Sequence, residues 1–434
     1  MAYEYEDVNE RSRNRELARI QRERMQKQQR LLRYTAGILV GLVCVLILVV
    51  LLFRSCDQAP QAQESTLSSA DTTQSTQSTA PTQPLDPETT IRLVFGGDVN
   101  ITDKLVGAGF TGTGYDYTQL LMQLSPVLSQ ADAAFLNLEG GFMGPDYGTA
   151  TFSAPPELAQ ALRNAGVDMI QLANSRTIVG GLTGLSASID TIRRFGMWPV
   201  GAFASEADRQ ESQGFTLVDI GGIRVAIVAF TKGLDGETLP AGSESCVNLL
   251  YTDYATTYRE VDKDGITAVL QAAQAQQPDV TIAMVHWGSE YNDTISPTQE
   301  EIIKIMQEQG VDAIIGTHSH FVQKVEYDAE KGTLVAFSLG DLLGDAEKNG
   351  TNYSILLGLS ITRDNRTGET RITGWDHTPV YVLTPEKDGM PLQAVLLEPA
   401  MELYENGHIH RVTDAAYENM KKALQRLESR LGLN

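Results

Sequence analysis

The chain has 434 residues and a formal net charge of −21, with 55 Asp and Glu residues against 34 Lys and Arg residues. Residues 1–56 carry a net charge of +4, which leaves −25 for the remainder. So acidic a surface argues against nucleic acid as a partner of that remainder. The three cysteines give no disulfide framework, because Cys44 lies within the apolar run 34–53, Cys56 lies just after it, and Cys246 is alone in the rest of the chain.

The N-terminal part of the sequence predicts a membrane anchor. Residues 34–53 are uncharged and mostly apolar, and about 20 such residues span a bilayer core of about 30 Å. Residues 1–33 are rich in arginine, which predicts a cytoplasmic tail and an extracytoplasmic location for everything after the anchor. A cleaved signal peptide is the alternative, but its apolar region is shorter and precedes a small-residue cleavage site. We therefore expect a single-pass helix in contact with membrane lipid.

A spacer and one large domain follow the predicted anchor. Residues 54–88 are rich in Ser, Thr, Gln and Pro and have too little apolar content to fold, so they are predicted to be a disordered linker. From residue 89 to residue 434, short apolar runs alternate with amphipathic stretches. This alternation predicts an α/β domain with a mostly parallel sheet covered on both faces. The later runs YSILLGLSITR and ETRITGWDHTPVYVL lack intervening helices and are interpreted as antiparallel edge strands, and a C-terminal amphipathic helix closes the chain.

Polar side chains follow several of the predicted strands. Asp98 follows the run IRLVFGG, Glu139 ends AAFLNLE, and His286 follows VTIAMV. His318 and His320 both follow VDAIIG, and a spacing of two on an extended segment is a common way to present two imidazoles to one metal centre. Open α/β sheets bind ligands at the carboxyl ends of their strands, and such donors from several strands suit a two-metal hydrolase.

The motifs GGDVN, ADAAFLNLEG, VHWGSEY, QGVDAIIGTHSHFVQKVE and FSLGD occur in one order along the chain. In these motifs the stretch from Ile91 to Leu343 resembles the CapA family of capsule or poly-γ-glutamate synthesis proteins. The resemblance implies a calcineurin-like metallophosphoesterase fold, an αββα sandwich that binds divalent Mn, Zn or Fe ions. It assigns metal-ligand roles to five residues (Asp98, Glu139, His286, His318 and His320).

The third predicted strand departs from the family pattern. The family has Ala-Asn-Asn-His, whereas this chain has Ala-Asn174-Ser175-Arg176. In the family's scheme the second Asn ligates metal and the His is a general acid, but serine is a poor ligand and arginine stays protonated. Asn174 and Arg176 remain the catalytic candidates, and a degenerate site is expected. Four further residues are expected in the pocket (Asn137, Ser175, Glu290 and Asp341).

Arg176 leaves two interpretations open. It could bind a carboxylate or phosphate bidentately, supported by Lys232 or Lys324 if these line the same cleft. Alternatively Asp341, which stands where the family has Asn, could compensate the charge of Arg176 in a structural pair.

Three functions remain in competition at this stage. The first is a membrane-anchored protein that assists synthesis, export or attachment of an anionic surface polymer without turnover. The second is an active metallohydrolase of phosphoester or of γ-glutamyl or peptide-like bonds, and the third is a structural domain with a vestigial site.

Overall fold

A computed structural model describes residues 86–408 and 411–432. The predicted cytoplasmic tail and anchor, residues 1–33 and 34–53, and nearly all of the predicted linker lie outside the described residues. Within the described part, no helix has the length and apolar character needed to cross a bilayer. The first strand begins at Glu88.

Fourteen strands are found in the described part of the chain. They are β1 (Glu88–Asn100), β2 (Ala133–Glu139), β3 (Met169–Gln171), β4 (Trp198–Val200), β5 (Phe215–Ile220), β6 (Ile223–Thr231), β7 (Val280–His286), β8 (Ala313–Thr317), β9 (Val325–Asp328), β10 (Thr333–Ala336), β11 (Asp341–Leu343), β12 (Tyr353–Asp364), β13 (Thr370–Leu383) and β14 (Gln393–Leu396). Together they form two sheets. The larger has the order β14-β13-β12-β1-β2-β3-β4 with β11 also paired to β1, and the smaller has the order β5-β6-β7-β8-β10-β9.

The same residues contain eleven helices. They are α1 (Asp103–Ala108), α2 (Thr118–Leu121), α3 (Ser125–Leu128), α4 (Pro156–Ala165), α5 (Gly181–Arg194), α6 (Glu206–Ser212), α7 (Lys263–Gln274), α8 (Pro297–Glu308), α9 (Pro385–Asp388), α10 (Leu397–Glu405) and α11 (Asp414–Leu431). The stretch 117–131, predicted as one amphipathic helix, is divided between α2 and α3. Pro126 accounts for the break, because proline lacks the amide that a continuous helix would need there.

The two sheets pack face to face with helices outside them. Strand β6 shows the alternation, since Ile227 and Ala229 belong to the core between the sheets. Val228 and Phe230 point the other way, into a second core that contains apolar residues of α7 and α8. Because neighbouring strand residues face opposite sides, both faces of this sheet are buried. The architecture is an αββα sandwich, as the family resemblance implied. The pattern of apolar runs predicted a mostly parallel sheet, whereas the structure has two sheets that each contain parallel and antiparallel pairings.

The late strands do not all lie at a sheet edge. Strand β12 pairs antiparallel with β1 along Glu88–Phe95, so β12 lies inside the larger sheet. Strand β14 pairs only with β13 in the larger sheet and stands at its edge. The prediction of antiparallel strands is confirmed, but the edge position is wrong for both β12 and β13, since β13 pairs with β12 on one side and β14 on the other. The expected C-terminal helix is α11.

Close contact between two backbone segments positions the polar strand ends. In β1 the amide of Asp98 donates to the carbonyl of Gly340 at 3.0 Å. A Cβ placed on Gly97 would lie 1.8 Å from that same carbonyl oxygen, so only glycine fits. Asp98 is thereby in register with Asn137 of β2 and Asp341 of β11.

Candidate metal centre

Six buried side chains form two groups at the ends of the strands. One group contains Glu139, His286 and His318, and the other contains Asp98, His320 and Asp341. In each group one nitrogen or oxygen atom per residue lies within 4.8 Å of the corresponding atoms of the other two. The structure therefore brings together all five predicted metal ligands and adds Asp341 to them.

The first group is built around His286. This residue ends β7 in register with Thr317 at the end of β8, and His286 Nδ1 and Thr317 Oγ1 are 3.0 Å apart. On its other side, His286 Nε2 lies 2.8 Å from Glu139 Oε1 and 3.2 Å from Ser175 Oγ. His318 Nδ1 is buried and has no hydrogen-bond partner among the described residues. A buried nitrogen without a partner is costly, and a bound cation would satisfy it.

The second group is built around Asp98. Its Oδ1 accepts from Asn137 Nδ2 at 2.6 Å, and its Oδ2 accepts from the backbone amide of His318 at 3.1 Å. His320 Nδ1 lies 2.8 Å from Asp341 Oδ1. Asp98 is fully buried, so its orientation is set by these donors rather than by water.

His318 and His320 serve different groups, which corrects the expectation that both imidazoles face one metal centre. Strand β8 ends at Thr317, and both histidines have left-handed backbone conformations, with φ of 91° and 60°. The segment is therefore not extended, and the side-chain directions of a strand do not apply to it. The ring centroids of the two histidines are 6.4 Å apart.

Asn174 holds two parts of the site together. Its Nδ2 donates to Asn137 Oδ1 at 3.1 Å and to the carbonyl of Leu138 at 2.6 Å. Its Oδ1 accepts from the backbone amide of Arg176 at 2.9 Å. Asn174 is thus a positioning residue for β2 and for the turn that carries Arg176.

Arg176 extends away from the buried groups. Its Nη1 forms an ion pair with Asp235, and its guanidinium lies 4.1 Å above the centre of the Phe152 ring. The expected pairing of Arg176 with Asp341 is therefore wrong, since the hydrogen-bond partner of Asp341 is His320. Arginine has a longer reach than the histidine it replaces, which lets it find an exposed carboxylate on the loop after β6.

The two lysines that the sequence associated with Arg176 have other partners. Lys232 Nζ donates to the carbonyl of Gly288 at 2.7 Å. Lys324 forms an ion pair with Glu326, and both side chains are about half exposed. Neither lysine lines the pocket that Arg176 lines.

An open pocket of about 180 Å³ lies over the two groups and is called the metal-site pocket below. Glu139, His320 and Asp341 form its floor, and Arg176, Glu290 and Lys348 contribute to its walls. The ring of Tyr291 stacks on His320 with centroids 4.8 Å apart, and Lys348 Nζ lies 3.1 Å from the centre of the Tyr291 ring. The sequence analysis missed Phe152, Tyr291, Asp235 and Lys348, because these loop residues belong to no strand-end pattern.

The carboxylates of the site have strongly perturbed proton affinities. Burial, together with the charge of Glu139, raises the pKa of Asp98 well above its ordinary value. Burial also raises the pKa of Asp341, against the opposing charge of His320. For Glu139 burial acts in the same direction, but the charge and hydrogen bond of His286 outweigh it and hold the pKa of Glu139 at about 2.

The pKa values of the three histidines are also shifted in opposite directions. Burial lowers the pKa of His286, and burial with the nearby charge of His286 lowers the pKa of His318 well below its ordinary value. Burial would also lower the pKa of His320, but the charge and hydrogen bond of Asp341 raise it to about 10. Neutral imidazoles are metal ligands, so His286 and His318 are already in the ligating form at neutral pH.

These residues fit divalent metal ions. Three carboxylates are buried together, and a buried charge is stable only when it is paired or bound to metal. Mixed carboxylate and imidazole donors suit divalent first-row transition metals. The unpartnered Nδ1 of His318 is a further observation in favour of a cation.

The sequence is similar to a family of bacterial proteins and to several of its members. A family model described as "Bacterial capsule synthesis protein PGA_cap" matches residues 92–346. The "Capsule biosynthesis protein CapA" of Bacillus anthracis is 27% identical over 266 residues, which are 58% of this chain and 60% of that protein. The "PGA biosynthesis protein CapA" of Bacillus subtilis (strain 168) is 22% identical over 290 residues, 62% of this chain and 71% of that protein. The chain thus spans about 60% of the length of the Bacillus anthracis relative.

Solved structures give only distant likenesses. A hypothetical protein from Thermus thermophilus is 14% identical with a TM-score of 0.40, over 67% of this chain and 98% of that one. A phosphatase from Mycoplasma pneumoniae is 15% identical with a TM-score of 0.41, over 68% of this chain and 94% of that one. At these TM-scores neither structure defines the activity of this chain.

Proposed function

Because the chain belongs to the bacterial capsule synthesis protein family PGA_cap, we propose that it assists the synthesis, export or attachment of an anionic capsule polymer such as poly-γ-glutamate. The names of its Bacillus relatives refer to capsule and PGA biosynthesis. The role proposed here is binding and presentation of the polymer or of its synthesis machinery, with a metal site that is degenerate for turnover.

The metal-site pocket is the observation that carries this proposal. Arg176 and Lys348 line it beside five carboxylates (Glu139, Glu290, Asp341, Asp345 and Glu347), so the approach of a polyanion there depends on the positive charge of bound metal ions as well as on these two side chains. Local cations are required for a polyanion to approach so acidic a protein. Phe152 and Asp235 hold the guanidinium of Arg176 at the pocket wall, where its planar group can bind a carboxylate in a bidentate manner.

Divalent ions would be held by the two buried groups, with Glu139, His286 and His318 around one and Asp98, His320 and Asp341 around the other. Manganese, zinc or iron fits these donors. When bound, such ions supply positive charge that attracts and polarises a carboxylate or phosphoryl oxygen.

Two residues of the turn after β3, Ser175 and Arg176, argue for binding rather than turnover. Ser175 offers a hydroxyl, a weak ligand, and its Oγ already contacts His286 Nε2 at 3.2 Å. Arg176 stays protonated and cannot donate a proton as the histidine of the family pattern would. Asn174 keeps both residues in place through its bonds to β2 and to the amide of Arg176.

A membrane anchor would place this domain outside the cytoplasm. The apolar run at residues 34–53 and the basic residues before it support a single-pass topology with a cytoplasmic N-terminus. The polar linker at residues 54–88 would let the domain reach away from the lipid surface. The proposed partners are therefore membrane lipid, the anionic polymer and its synthesis machinery.

One specific observation favours a second function, an active metal-dependent hydrolase of phosphoester or γ-glutamyl bonds. All five metal ligands implied by the family resemblance lie in the two groups. The residues that differ from the family pattern, Ser175 and Arg176, therefore leave these five ligands in place. In such an enzyme the two groups would hold the ions, and the ions would supply activation of water and polarisation of the substrate.

Metal analysis and polymer binding on the purified full chain test the proposal. We expect close to two equivalents of a divalent metal after dialysis and metal-dependent binding of poly-γ-glutamate without cleavage. Arg176→Gln should weaken this binding about tenfold. The control Arg366→Gln removes an arginine that also pairs with an aspartate, but one that is 85% exposed where Arg176 is 20% exposed, and it should have no effect.

Three outcomes contradict the proposal in different ways. Cleavage of the polymer or of a phosphoester at a rate that depends on the metal would establish the hydrolase. Failure to bind metal and polymer would indicate a structural domain with a vestigial site. Equal effects of the Arg176 and Arg366 substitutions would remove Arg176 from the binding surface.

A further inference from the structure

A second pocket, separate from the metal-site pocket, lies between α9, α11 and the loop 344–352. It has a volume of about 340 Å³ and is called the basic pocket below. Three cationic side chains line it, together with three amides and the ring of Tyr353, and no carboxylate is among its lining residues (Asn349, Asn352, Tyr353, Lys387, Asn419, Lys422, Ala423 and Arg426). A concentration of positive charge without lining carboxylates is unexpected in a chain of net charge −21.

Helix α11 supplies half of the basic pocket. Asn419, Lys422 and Arg426 lie three and four residues apart, so they share one face of the helix. Within the described residues neither Lys422 nor Arg426 forms an ion pair, and both are exposed. Long cationic side chains without an internal partner remain available to a ligand.

A buried carboxylate, Asp388, adjoins the basic pocket and acts electrostatically on Lys387, but both of its oxygens are already engaged by other donors. Asp388 follows Lys387 but points inward, where its Oδ1 accepts from Tyr381 Oη at 3.1 Å and from Asn419 Nδ2 at 3.0 Å. Its Oδ2 accepts from the amide of Thr384 at 2.9 Å. Lys387 itself is fixed by a hydrogen bond from Nζ to the carbonyl of Ala346.

Tyr353 gives independent evidence for a ligand. The residue is 1% exposed and lines the basic pocket, and its hydroxyl has no hydrogen-bond partner in the described part of the chain. A buried hydroxyl that makes no hydrogen bond destabilises the fold, so its retention needs a reason. Because this hydroxyl is closed off from solvent, a carboxylate in the basic pocket would accept its hydrogen bond once the surrounding side chains shift.

The loop 344–352 forms a shared wall of the two pockets. Lys348 and Thr351 line the metal-site pocket, whereas Asn349 and Asn352 line the basic pocket. A ligand with repeated carboxylates can therefore contact both sides of one short loop. Binding at the second pocket is then intramolecular, which raises the affinity for a long chain well above that for a short one.

We propose that the basic pocket is a second subsite for a polymer that carries repeated carboxylates, one that continues over the loop 344–352 from the metal-site pocket. This inference rests on the proposed function, which supplies the polymer. It goes further in assigning Lys387, Lys422, Arg426 and Tyr353 to ligand binding.

Length-dependent binding tests the subsite. The probes are γ-linked poly-glutamate of about 20 residues and a γ-linked glutamate trimer, titrated into the purified full chain at fixed salt. The full chain should bind the long probe at least tenfold more tightly than the trimer. The double substitution Lys422→Gln and Arg426→Gln should abolish this advantage and leave trimer binding in the metal-site pocket unchanged.

A matched control separates the subsite from general charge. Lys304→Gln with Lys331→Gln removes the same two charges from side chains that are 78% and 76% exposed elsewhere on the domain. The control should keep the advantage of the long probe. If the control loses the advantage as the variant does, or if the variant keeps it, the subsite is refuted while the proposed function stands.

Tyr353→Phe gives a readout that does not depend on charge. Removal of a hydroxyl without a partner should raise the melting temperature of the unliganded protein, yet weaken binding of the long probe about threefold to tenfold. If Tyr353→Phe raises both the melting temperature and the affinity for the long probe, or lowers both, the assignment of this hydroxyl to ligand binding is contradicted.

Two further outcomes identify the source of a failure. If the unsubstituted chain binds neither probe, the proposed function is wrong and the assignment of the basic pocket to this polymer is overturned with it. If inorganic phosphate binds at the basic pocket more tightly than the carboxylate probes, and the double variant loses that binding, the ligand is a phosphate and the carboxylate assignment is refuted.

Discussion

Removing His318 and His320 separately distinguishes two metal sites from one. Because the two histidines belong to different groups, His318→Gln and His320→Gln should each lose one metal equivalent, and the double variant should lose both. A metal at 100 times its Kd stabilises the folded state by about 2.7 kcal/mol. For the compact unit of residues 81–434 this corresponds to a rise in melting temperature of about 4 °C per ion.

Without metal, the two single variants should differ in their free energy of unfolding. His320 is paired with Asp341 at 2.8 Å, and breaking a buried ion pair leaves an uncompensated carboxylate, at a cost of about 3–5 kcal/mol. His318 Nδ1 has no partner among the described residues, so His318→Gln removes only packing, at a cost of about 1–2 kcal/mol. Without metal, His320→Gln should therefore be the less stable of the two variants.

Elemental analysis after dialysis gives the stoichiometry, and thermal unfolding with and without added manganese or zinc gives the stabilisation. Tyr291→Leu is a control for packing, because it removes the ring stacked on His320 and keeps every ligand. The division into two groups is refuted if both single variants lose the same ion, or if the double variant loses no more metal than either single variant.

Three other predictions concern the turn, a buried carboxylate and the membrane topology. Ser175→Asn combined with Arg176→His should raise metal affinity at least tenfold in a calorimetric titration, because it adds a ligand and removes a fixed cation; no gain would contradict this. Burial raises the pKa of Asp312 to about 6, despite the hydrogen bond from the amide of Thr281, so the folded state binds the proton more tightly than the unfolded state. The free energy of unfolding of the unsubstituted protein should therefore fall by up to about 3 kcal/mol between pH 4 and pH 7 through this group. The Asp312→Asn variant should lack this contribution, and denaturant unfolding at the two pH values measures the difference. Protease added to whole cells should remove the domain and spare residues 1–33, and protection of the domain would overturn the topology.

The strand ends could be predicted from the sequence because periodicity is a local property. Asp98, Glu139 and His286 each follow or end an uninterrupted apolar run, and such runs form buried strands whose carboxyl ends meet. The structure accordingly places all three at one end of the sandwich, and they lie in contact or in neighbouring groups.

The sequence could not predict which ligands belong to which of the two groups. It depends on the left-handed conformations of His318 and His320, which sequence spacing does not specify. The contribution of Asp341 likewise depends on β11 pairing parallel to β1, a contact between residues far apart in the chain. Long-range pairings of this kind leave no periodic pattern in either segment.

The position of Arg176 explains how an arginine can replace a histidine without dispersing the ligands around it. A guanidinium directed at the buried groups would compete with a cation for Glu139. Here the side chain instead stacks on Phe152 and pairs with Asp235, whose side chain is 57% exposed, while its charge still acts on Glu139 and His318. This charge favours the ionised form of Glu139. The arginine therefore offers no proton to donate, yet it leaves Glu139 in the ionised form that a metal requires.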